Sequence, residues 1–470
     1  MDSHTRTLAR WTVTTKFEAI PPPVIDRLKW LVLDSLGCAI FGSRLPWSRL
    51  ALEAVLGLDD TRRCTIWGTE VRTACTNAAL LNGAFTQGFE LDDIHTLGFQ
   101  HCGAVVLPAA LGISEDRRDV DGRRFLAGVV CGYETVLRVG RCMGPGHMLR
   151  GWHPAGTNSP FAAAAAVGNI LGLDEERMLN ALGLAGNRGA GLEAARVASM
   201  DKRMLEANGS MAGLYSALLA ERGFTGAADI FEAEKGFCRT FAWGTGEYDL
   251  AELTRGLGER YDILTVELKR YAANASTHTA IEAARQLRES HHPDPSQIES
   301  VRVRVSTLTY EHTNPVYRPE SVTYAQFCIP YGVAAMLVEG DMFVEQCTEA
   351  KTRDPKLVAL ARRVEVSPSA EIDALDPYRR RRAEMDVHLR DGQVLRATVD
   401  HRPGSTHLPL STEQIIAKFH RLAEGVIPRP QAVRIVDMVG ELDKLGDVSL
   451  LAREMAVGPA SRDPRPHSGI

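Results

Sequence analysis

The sequence predicts a mainly α-helical protein that carries a smaller, inserted α+β domain. Three observations support this fold class. Residues 1–262 are dense in alanine and place apolar side chains at helical spacing. Alternation typical of strands begins only after residue 263, and helical spacing returns after residue 405. A chain of 470 residues is also too long for one ordinary hydrophobic core, so more than one domain is expected.

The helices are predicted from apolar stripes and alanine-rich surfaces. In the first segment they cover residues 24–41, 73–89, 159–171 and 211–220, and one more begins at Asp174. Helices are also predicted over residues 277–290 and 324–338, and then over 411–423 and 430–442.

The strands of the inserted domain are predicted from alternation. In residues 298–306, Val301, Val303 and Val305 share one face, and arginines occupy the other. Residues 383–401 repeat the pattern around the turn signal Asp391-Gly392, and residues 363–367 are a third candidate strand. We therefore predict a helical domain at 1–262, an α+β lid at 263–404, a second helical part at 405–457 and a disordered tail at 458–470.

Composition narrows the class of function. The net charge is −5 and no basic run exceeds residues 379–382, which argues against nucleic acid as a partner. The longest apolar run, 161–167, is far shorter than the roughly 20 residues of a membrane span, and the N-terminus has no signal-peptide pattern. The nine cysteines include no Cys-x-x-Cys, which argues against thiolate zinc and iron–sulfur sites. A cytoplasmic protein without a membrane partner is predicted.

The densest group of ionisable residues lies just before a predicted helix. Glu90, Asp92, Asp93, His95 and His101 fall within twelve residues. One interpretation is acid–base chemistry, with a carboxylate orienting an imidazole. A second is a divalent metal site, and a third is a capped helix end with surface carboxylates and one core histidine. The spacing alone leaves all three open.

Further candidates are scattered along the chain. His153 precedes a proline and a glycine-containing helix start, where backbone amides attract anions, although a structural histidine fits equally. Lys202 opens a helix, either to pair with an anionic substrate or as a solvated helix start. The predicted domain junction and the segments near it add Lys269, Asn274, Arg318 and Tyr331, which suit a carboxylate-binding site.

Five of these segments occur in the order seen in the MmgE/PrpD family. They are ELDDIH with His101 and GAVVLP, then GWHP, MDKRML with NGSMAG, ELKRYAAN with TH, and YRPES with QFCIPY. The sequence resembles that family over about residues 5–455. The resemblance implies a large helical domain with an inserted α+β lid, a homodimer, no metal or organic cofactor, and a small polycarboxylate substrate. Members include 2-methylcitrate dehydratases, cis-aconitate decarboxylases and an iminodisuccinate epimerase.

The resemblance also implies roles for individual residues. His101 matches the principal active-site histidine, and His153 matches a second one. Lys202 and Lys269 match lysines that face the substrate, and Tyr331 matches an active-site tyrosine. These five are the predicted catalytic residues. The predicted substrate-binding residues are Glu90, Asp93, Arg318 and Asn274, of which Glu90 matches an acidic position of the family.

Three positions depart from relatives. Some cis-aconitate decarboxylases have histidine where this chain has Asn274 and Glu206, and Ile94 replaces a polar residue. Glu206 adds negative charge near Lys202, which disfavours a trianionic substrate.

The predicted function is a cofactor-independent lyase or isomerase of a small di- or tricarboxylate, similar to 2-methylcitrate dehydratase or cis-aconitate decarboxylase. An iminodisuccinate-type epimerase is an alternative, as are a non-catalytic carboxylate-binding protein and a metal-dependent hydro-lyase that uses Asp92, Asp93 and His95. The five catalytic residues are expected to converge on one pocket between the domains.

Overall fold

The structure is a computed structural model that describes residues 3–196, 199–244, 247–376 and 379–457. These residues divide into two compact units. Unit 1 runs up to Gly88, continues from Asp92 to Glu267, and resumes at Ser411. Unit 2 holds Phe89–Leu91 and Leu268–Leu410. The predicted tail, 458–470, lies outside the described residues.

The first part of unit 1 is almost entirely helical. Its helices are α1 (His4–Thr14), α2 (Pro22–Gly42), α3 (Pro46–Leu56), α4 (Cys75–Thr86), α5 (Gly103–Arg117), α6 (Gly122–Leu149), α7 (Pro154–Leu171), α8 (Glu175–Gly186), α9 (Lys202–Glu221) and α10 (Phe237–Phe241). A short antiparallel pair, β1 (Cys64–Thr65) and β2 (Arg72–Thr73), precedes α4. α6 is kinked at Gly144, which has a positive φ and is followed by Pro145.

Helices α7 and α9 pack against each other at the centre of unit 1. A β-carbon at Gly209 would lie 2.2 Å from the Ser159 side chain, and one at Gly213 would lie 2.2 Å from the Pro160 carbonyl oxygen. Only glycine permits so close an approach of the two helices. The glycines of the NGSMAG segment therefore fix the position of α9, whose first two turns carry Lys202 and Glu206.

Unit 2 is an α+β unit built on one mixed sheet. Its elements are α11 (His278–His291), β3 (Ile298–Val305), α12 (Thr307–His312), α13 (Val322–Gln326), α14 (Ile329–Glu339), α15 (Glu349–Thr352), α16 (Pro355–Ala361), β4 (Val364–Pro368), α17 (Ala370–Asp373), β5 (Ala383–Leu389) and β6 (Val394–Val399). The strand order is β4-β3-β5-β6, in which only β3 and β4 are parallel. α11 packs on β5 and β6.

Unit 1 ends with α18 (Thr412–Ala423), α19 (Arg429–Gly440) and α20 (Ser449–Glu454). α18 and α19 pack against α2, most of whose residues from Leu28 to Gly42 are buried. The prediction of a mainly helical protein with a smaller α+β part is thus confirmed. Within the residues described, no helix combines the length and apolar character that crossing a membrane demands.

Most predicted elements match, and the differences have local causes. The helix predicted over 324–338 is two helices, because Pro330 cannot donate a backbone hydrogen bond and instead starts α14. The helix predicted over 159–171 begins earlier, at Pro154, where proline at the first position starts a helix without losing a hydrogen bond. The helix predicted over 211–220 begins at Lys202, because its polar first turn hides the apolar periodicity.

The predicted domain boundaries at residues 262 and 404 remain a prediction, and limited proteolysis tests them. We expect the first cuts to fall at exposed loops near these positions, because loops with few contacts open most easily. Mass spectrometry of the fragments identifies the cut sites. First cuts within α7 or α9 would contradict the proposed organisation.

Candidate active site

Asp92 and His101 form a carboxylate–imidazole pair in unit 1. The Asp92 Oδ2 atom lies 2.8 Å from His101 Nδ1, and the Asp93 carbonyl oxygen lies 2.8 Å from the same nitrogen. Both neighbours are acceptors, so Nδ1 carries the proton and donates it. Proton transfer to a substrate would then use Nε2. Asp92 is fully buried, whereas the His101 side chain keeps 11% of its surface exposed. This geometry is the one that acid–base chemistry requires.

Asp93 holds the start of helix α5. Both of its carboxylate oxygens accept from the backbone N–H of Gly103, at 3.0 and 3.1 Å, and the Tyr133 hydroxyl donates to Oδ2 at 3.0 Å. The helix end of the third interpretation therefore describes Asp93, but its prediction of surface carboxylates is wrong, because Glu90, Asp92 and Asp93 are all buried. Burial, together with the neighbouring Asp92 charge, raises the pKa of Asp93 to about 7. Its part in substrate binding stays a prediction.

The raised pKa values predict a pH dependence of stability. Burial raises the pKa of both Asp93 and Glu134 to about 7. The folded chain therefore keeps protons that the unfolded chain releases at ordinary carboxyl pKa values. The stability that these two protonated groups contribute is fully present below the carboxyl pKa values of the unfolded chain. It is lost as the pH rises from those values towards 7. We expect the free energy of unfolding to fall by about 1.4 kcal/mol per pH unit for each group over that range.

Urea denaturation between about pH 4.5 and 7.5 measures this slope, over the range that the raised pKa values define. Asp93→Asn, which keeps the shape of the side chain but does not titrate, should remove one group's share. A slope that is the same in the variant and the parent protein would contradict the assignment of Asp93.

His95 is a core histidine. Its Nδ1 accepts from the Gly98 N–H at 3.0 Å, and its Nε2 lies 3.0 Å from the Thr265 hydroxyl. Burial lowers the pKa of His95 to about 4, so the ring is neutral at ordinary pH. No group of three or more His, Cys, Asp or Glu side chains that could hold a metal ion occurs within the part of the chain that the structure describes.

His153 stands at the N-terminus of α7, where its side chain caps the helix. The Gly156 N–H donates to His153 Nδ1 at 3.3 Å, which requires an unprotonated Nδ1 and places the ring proton on Nε2. The Glu206 Oε1 atom lies 3.9 Å from that Nδ1. The His153 side chain is 8% exposed. His153 therefore combines a structural role with a position beside Glu206.

Lys202 occupies the first turn of α9, one turn before Glu206, on the same helix face. It is only 3% exposed, so it is buried rather than a solvated helix start. The charges of His101 and Lys202 both favour the ionised form of Glu206, which places all three within electrostatic reach of one another. Unit 1 thus gathers three of the five predicted catalytic residues, His101, His153 and Lys202, around Glu206.

Unit 2 carries the other two predicted catalytic residues. Lys269 Nζ lies 3.4 Å from Glu90 Oε2, and both side chains are 1% exposed. Glu90 has φ +57°, a conformation that is costly for a residue with a β-carbon. Strain of this kind persists only where the surroundings enforce it, and it is common at functional sites. The Lys269–Glu90 pair is therefore a candidate carboxylate-binding group of unit 2.

The remaining candidates have contacts of their own within unit 2. The buried Tyr331 hydroxyl donates to the Gln346 carbonyl oxygen at 2.5 Å. Asn274 Oδ1 accepts from the Ser276 N–H at 3.0 Å. Arg318 is exposed, with Glu320 3.7 Å away. The catalytic or binding roles of these residues, and the convergence of all five catalytic residues, stay predictions.

Two features of the site were not predicted from the sequence. One is Tyr133, whose hydroxyl holds Asp93. The other is a buried ion pair in unit 1, in which Lys418 Nζ lies 2.7 Å from Asp34 Oδ1. Asp34 is the one acid in the apolar stretch 31–41 of helix α2, and an ionisable residue in such a run is rarely buried without a partner. That signal was present in the sequence, although it does not name the partner.

Unit 1 thus places an oriented histidine near a buried lysine, an arrangement suited to proton transfer. The chain belongs to the MmgE/PrpD family: residues 6–247 match the model of the MmgE/PrpD N-terminal domain, and residues 271–444 match that of the C-terminal domain. The resemblance predicted from the sequence motifs is confirmed.

Similar proteins align over almost the whole chain. A cis-aconitate decarboxylase of Aspergillus terreus is 30% identical, with 95% of this chain and 94% of the relative covered. A cis-aconitate decarboxylase-like protein of Aspergillus oryzae is 32% identical, with 95% and 96% covered. The human cis-aconitate decarboxylase is 26% identical, with 91% and 89% covered. Decarboxylases of this kind are lyases, and the prediction that this chain is a lyase is confirmed.

Proposed function

We propose that the protein is a cofactor-independent lyase that acts on a small polycarboxylate by proton transfer at a carbon next to a carboxylate. The observation that carries the proposal is the Asp92–His101 pair, which fixes one imidazole tautomer beside the buried Lys202 and His153. The decarboxylases among its relatives favour loss of carbon dioxide as the first reaction to test. Dehydration and epimerisation remain the alternatives.

In the proposed decarboxylation, the bond between a carbon and its carboxylate breaks and carbon dioxide leaves. The electron pair stays in a system conjugated with a remaining carboxylate. The protonated Nε2 of His101 then gives its proton to carbon, forms the new C–H bond, and regains a proton from water. Asp92 stabilises the imidazolium before this transfer, in the way that a buried carboxylate supports a catalytic histidine.

The lysines have a different role in this proposal. A substrate carboxylate that leaves water must be paired with a cation, because an unpaired buried charge is costly. Lys202 is the buried lysine of the unit 1 cluster, and Lys269 is its counterpart in unit 2. Each is proposed to hold a substrate carboxylate, with Glu90 setting the position of Lys269 through their 3.4 Å contact. The protein is further proposed to act as a homodimer, which light scattering tests.

The experiment is a substrate screen in deuterated water, followed by nuclear magnetic resonance. Purified protein is incubated separately with cis-aconitate, 2-methylcitrate, citrate, iminodisuccinate and the dicarboxylate glutaconate. Net loss of carbon dioxide with deuterium at the new C–H position is the expected result. Deuterium exchange without net loss would favour dehydration or epimerisation, because both remove a proton from carbon. Absence of turnover and of exchange with all five compounds would contradict the proposed chemistry.

Removal of metal ions should leave the activity intact. We expect full activity after exhaustive dialysis against EDTA, because the proposed steps use only histidine, carboxylate and lysine side chains. The measurement is the rate before dialysis, after dialysis, and after addition of zinc, magnesium or manganese. A loss of activity that one of these ions restores would instead support the metal-dependent hydro-lyase interpretation.

A further inference from the structure

Glu206 is a buried carboxyl group whose oxygens accept no hydrogen bond from the residues that the structure describes. Its side chain has no exposed surface. By contrast, the buried Asp93 accepts three hydrogen bonds, and the buried Asp34 lies 2.7 Å from Lys418 Nζ. A buried polar group without partners costs free energy, and native proteins contain few of them. A side chain kept in this condition calls for a functional explanation.

The groups around Glu206 are those of the proposed active site. His153 Nδ1 is 3.9 Å away, and the charges of His101 and Lys202 favour an ionised Glu206. Burial has the largest effect and raises the pKa of Glu206, and the neighbouring Asp92 charge also raises this pKa. Glu206 is therefore a fixed carboxyl group of the protein close to Lys202, which is proposed to hold a substrate carboxylate, and to His101, which is proposed to transfer the proton.

We propose that Glu206 takes the place of one substrate carboxylate among these cations, and so makes a dicarboxylate, rather than a tricarboxylate, the preferred substrate class. The inference rests on the proposed function, since it concerns the same site. Each substrate carboxylate that enters the site must pair with a cationic side chain whose charge is not already balanced by an acidic side chain. Glu206 and Asp92 already contribute two acidic groups to the cluster. A third substrate carboxylate next to Glu206 would add like-charge repulsion in a place that water does not reach.

Binding of two unreactive probes tests this without any need for turnover. Tricarballylate carries three carboxylates, and glutarate is the same carbon chain without the central one. Isothermal titration calorimetry with each probe at about pH 7.5 gives two dissociation constants. We expect the parent protein to bind glutarate at least about tenfold more tightly than tricarballylate. Glu206→Gln keeps the shape of the side chain and removes its acidic group. It should reduce the ratio of the tricarballylate dissociation constant to the glutarate dissociation constant about tenfold, by strengthening tricarballylate binding.

Glu221→Gln is the matched control. Glu221 lies at the other end of α9, near Arg117, and its replacement changes the net charge of the protein by the same amount. The control should leave the glutarate preference unchanged. The parent protein's own ratio tests the proposal even if Glu206→Gln does not fold, because it needs no variant.

The outcomes separate this inference from the proposed function. If the parent protein bound tricarballylate as tightly as glutarate, the inference would be wrong while the polycarboxylate site stood. The same holds if Glu206→Gln folded and left the ratio unchanged. If neither probe bound, the proposed function would fail, and this inference with it.

Discussion

Replacing His101 by asparagine is expected to lower kcat by about 10²–10⁴-fold, the usual contribution of a positioned acid or base. The asparagine amide can donate to the Asp92 carboxylate in place of Nδ1, which lies 2.8 Å from it in the parent protein. The variant therefore keeps a donor close to the Asp92 carboxylate and the Asp93 carbonyl oxygen, and removes only the nitrogen that transfers the proton. For that reason the fold and the KM should change little. Steady-state kinetics on the substrate found by the screen, with thermal unfolding by circular dichroism, measure both effects.

His292→Asn is the control for this experiment. His292 is exposed and has φ +45°, a left-handed conformation that asparagine tolerates. The kcat and the thermal unfolding midpoint of the His292→Asn variant should match those of the parent protein. A His101→Asn protein that turned over substrate at nearly the parent rate would show that another group transfers the proton.

The local pattern of polar and apolar residues predicts the secondary structure of this chain best where one face of an element is exposed to solvent and the other is buried. In β3, Val301, Val303 and Val305 are fully buried and the arginines between them are exposed, as the alternation requires. The hairpin of β5 and β6 turns at Asp391-Gly392, where Gly392 has the positive φ that this turn needs. In both cases the information lies within a few neighbouring residues.

Site residues are harder to predict, because their environment comes from distant segments. The sequence indicated an imidazole oriented by a carboxylate but did not identify Asp92 as the partner, since Asp92 and Asp93 are adjacent and alike. The structure separates them: Asp92 contacts His101, and Asp93 caps α5. The burial of Lys202 was also not predictable, because a lysine at a helix start is normally solvated and its burial depends on the packing of α9 against helices from other parts of the chain.

The Asp34–Lys418 pair shows the same limit, since its two members lie near opposite ends of the chain. α2 supplies the acid and α18 supplies the lysine, and both side chains are nearly inaccessible to water. Asp92 also favours the charged form of Lys418, so the lysine offsets negative charge close to the Asp92–His101 pair. The second helical part of unit 1 thus contributes to the electrostatics of the candidate site although none of the predicted site residues belongs to it.

Replacing Lys418 by methionine is expected to lower the free energy of unfolding by about 3–5 kcal/mol, because it leaves Asp34 as an unpaired buried acid. The double variant Asp34→Leu with Lys418→Met should lose markedly less than the single variant, since it removes both charges and keeps apolar volume. Urea denaturation followed by circular dichroism measures the two values. Lys444→Met is the matched control, because its partner Glu441 and the lysine itself are both 67% exposed, and such pairs contribute no more than about 1 kcal/mol. If Lys418→Met were as stable as Lys444→Met, Asp34 would have to be neutral or hydrogen-bonded to another group in the folded protein. The inference that Lys418 offsets negative charge close to Asp92 would then be wrong.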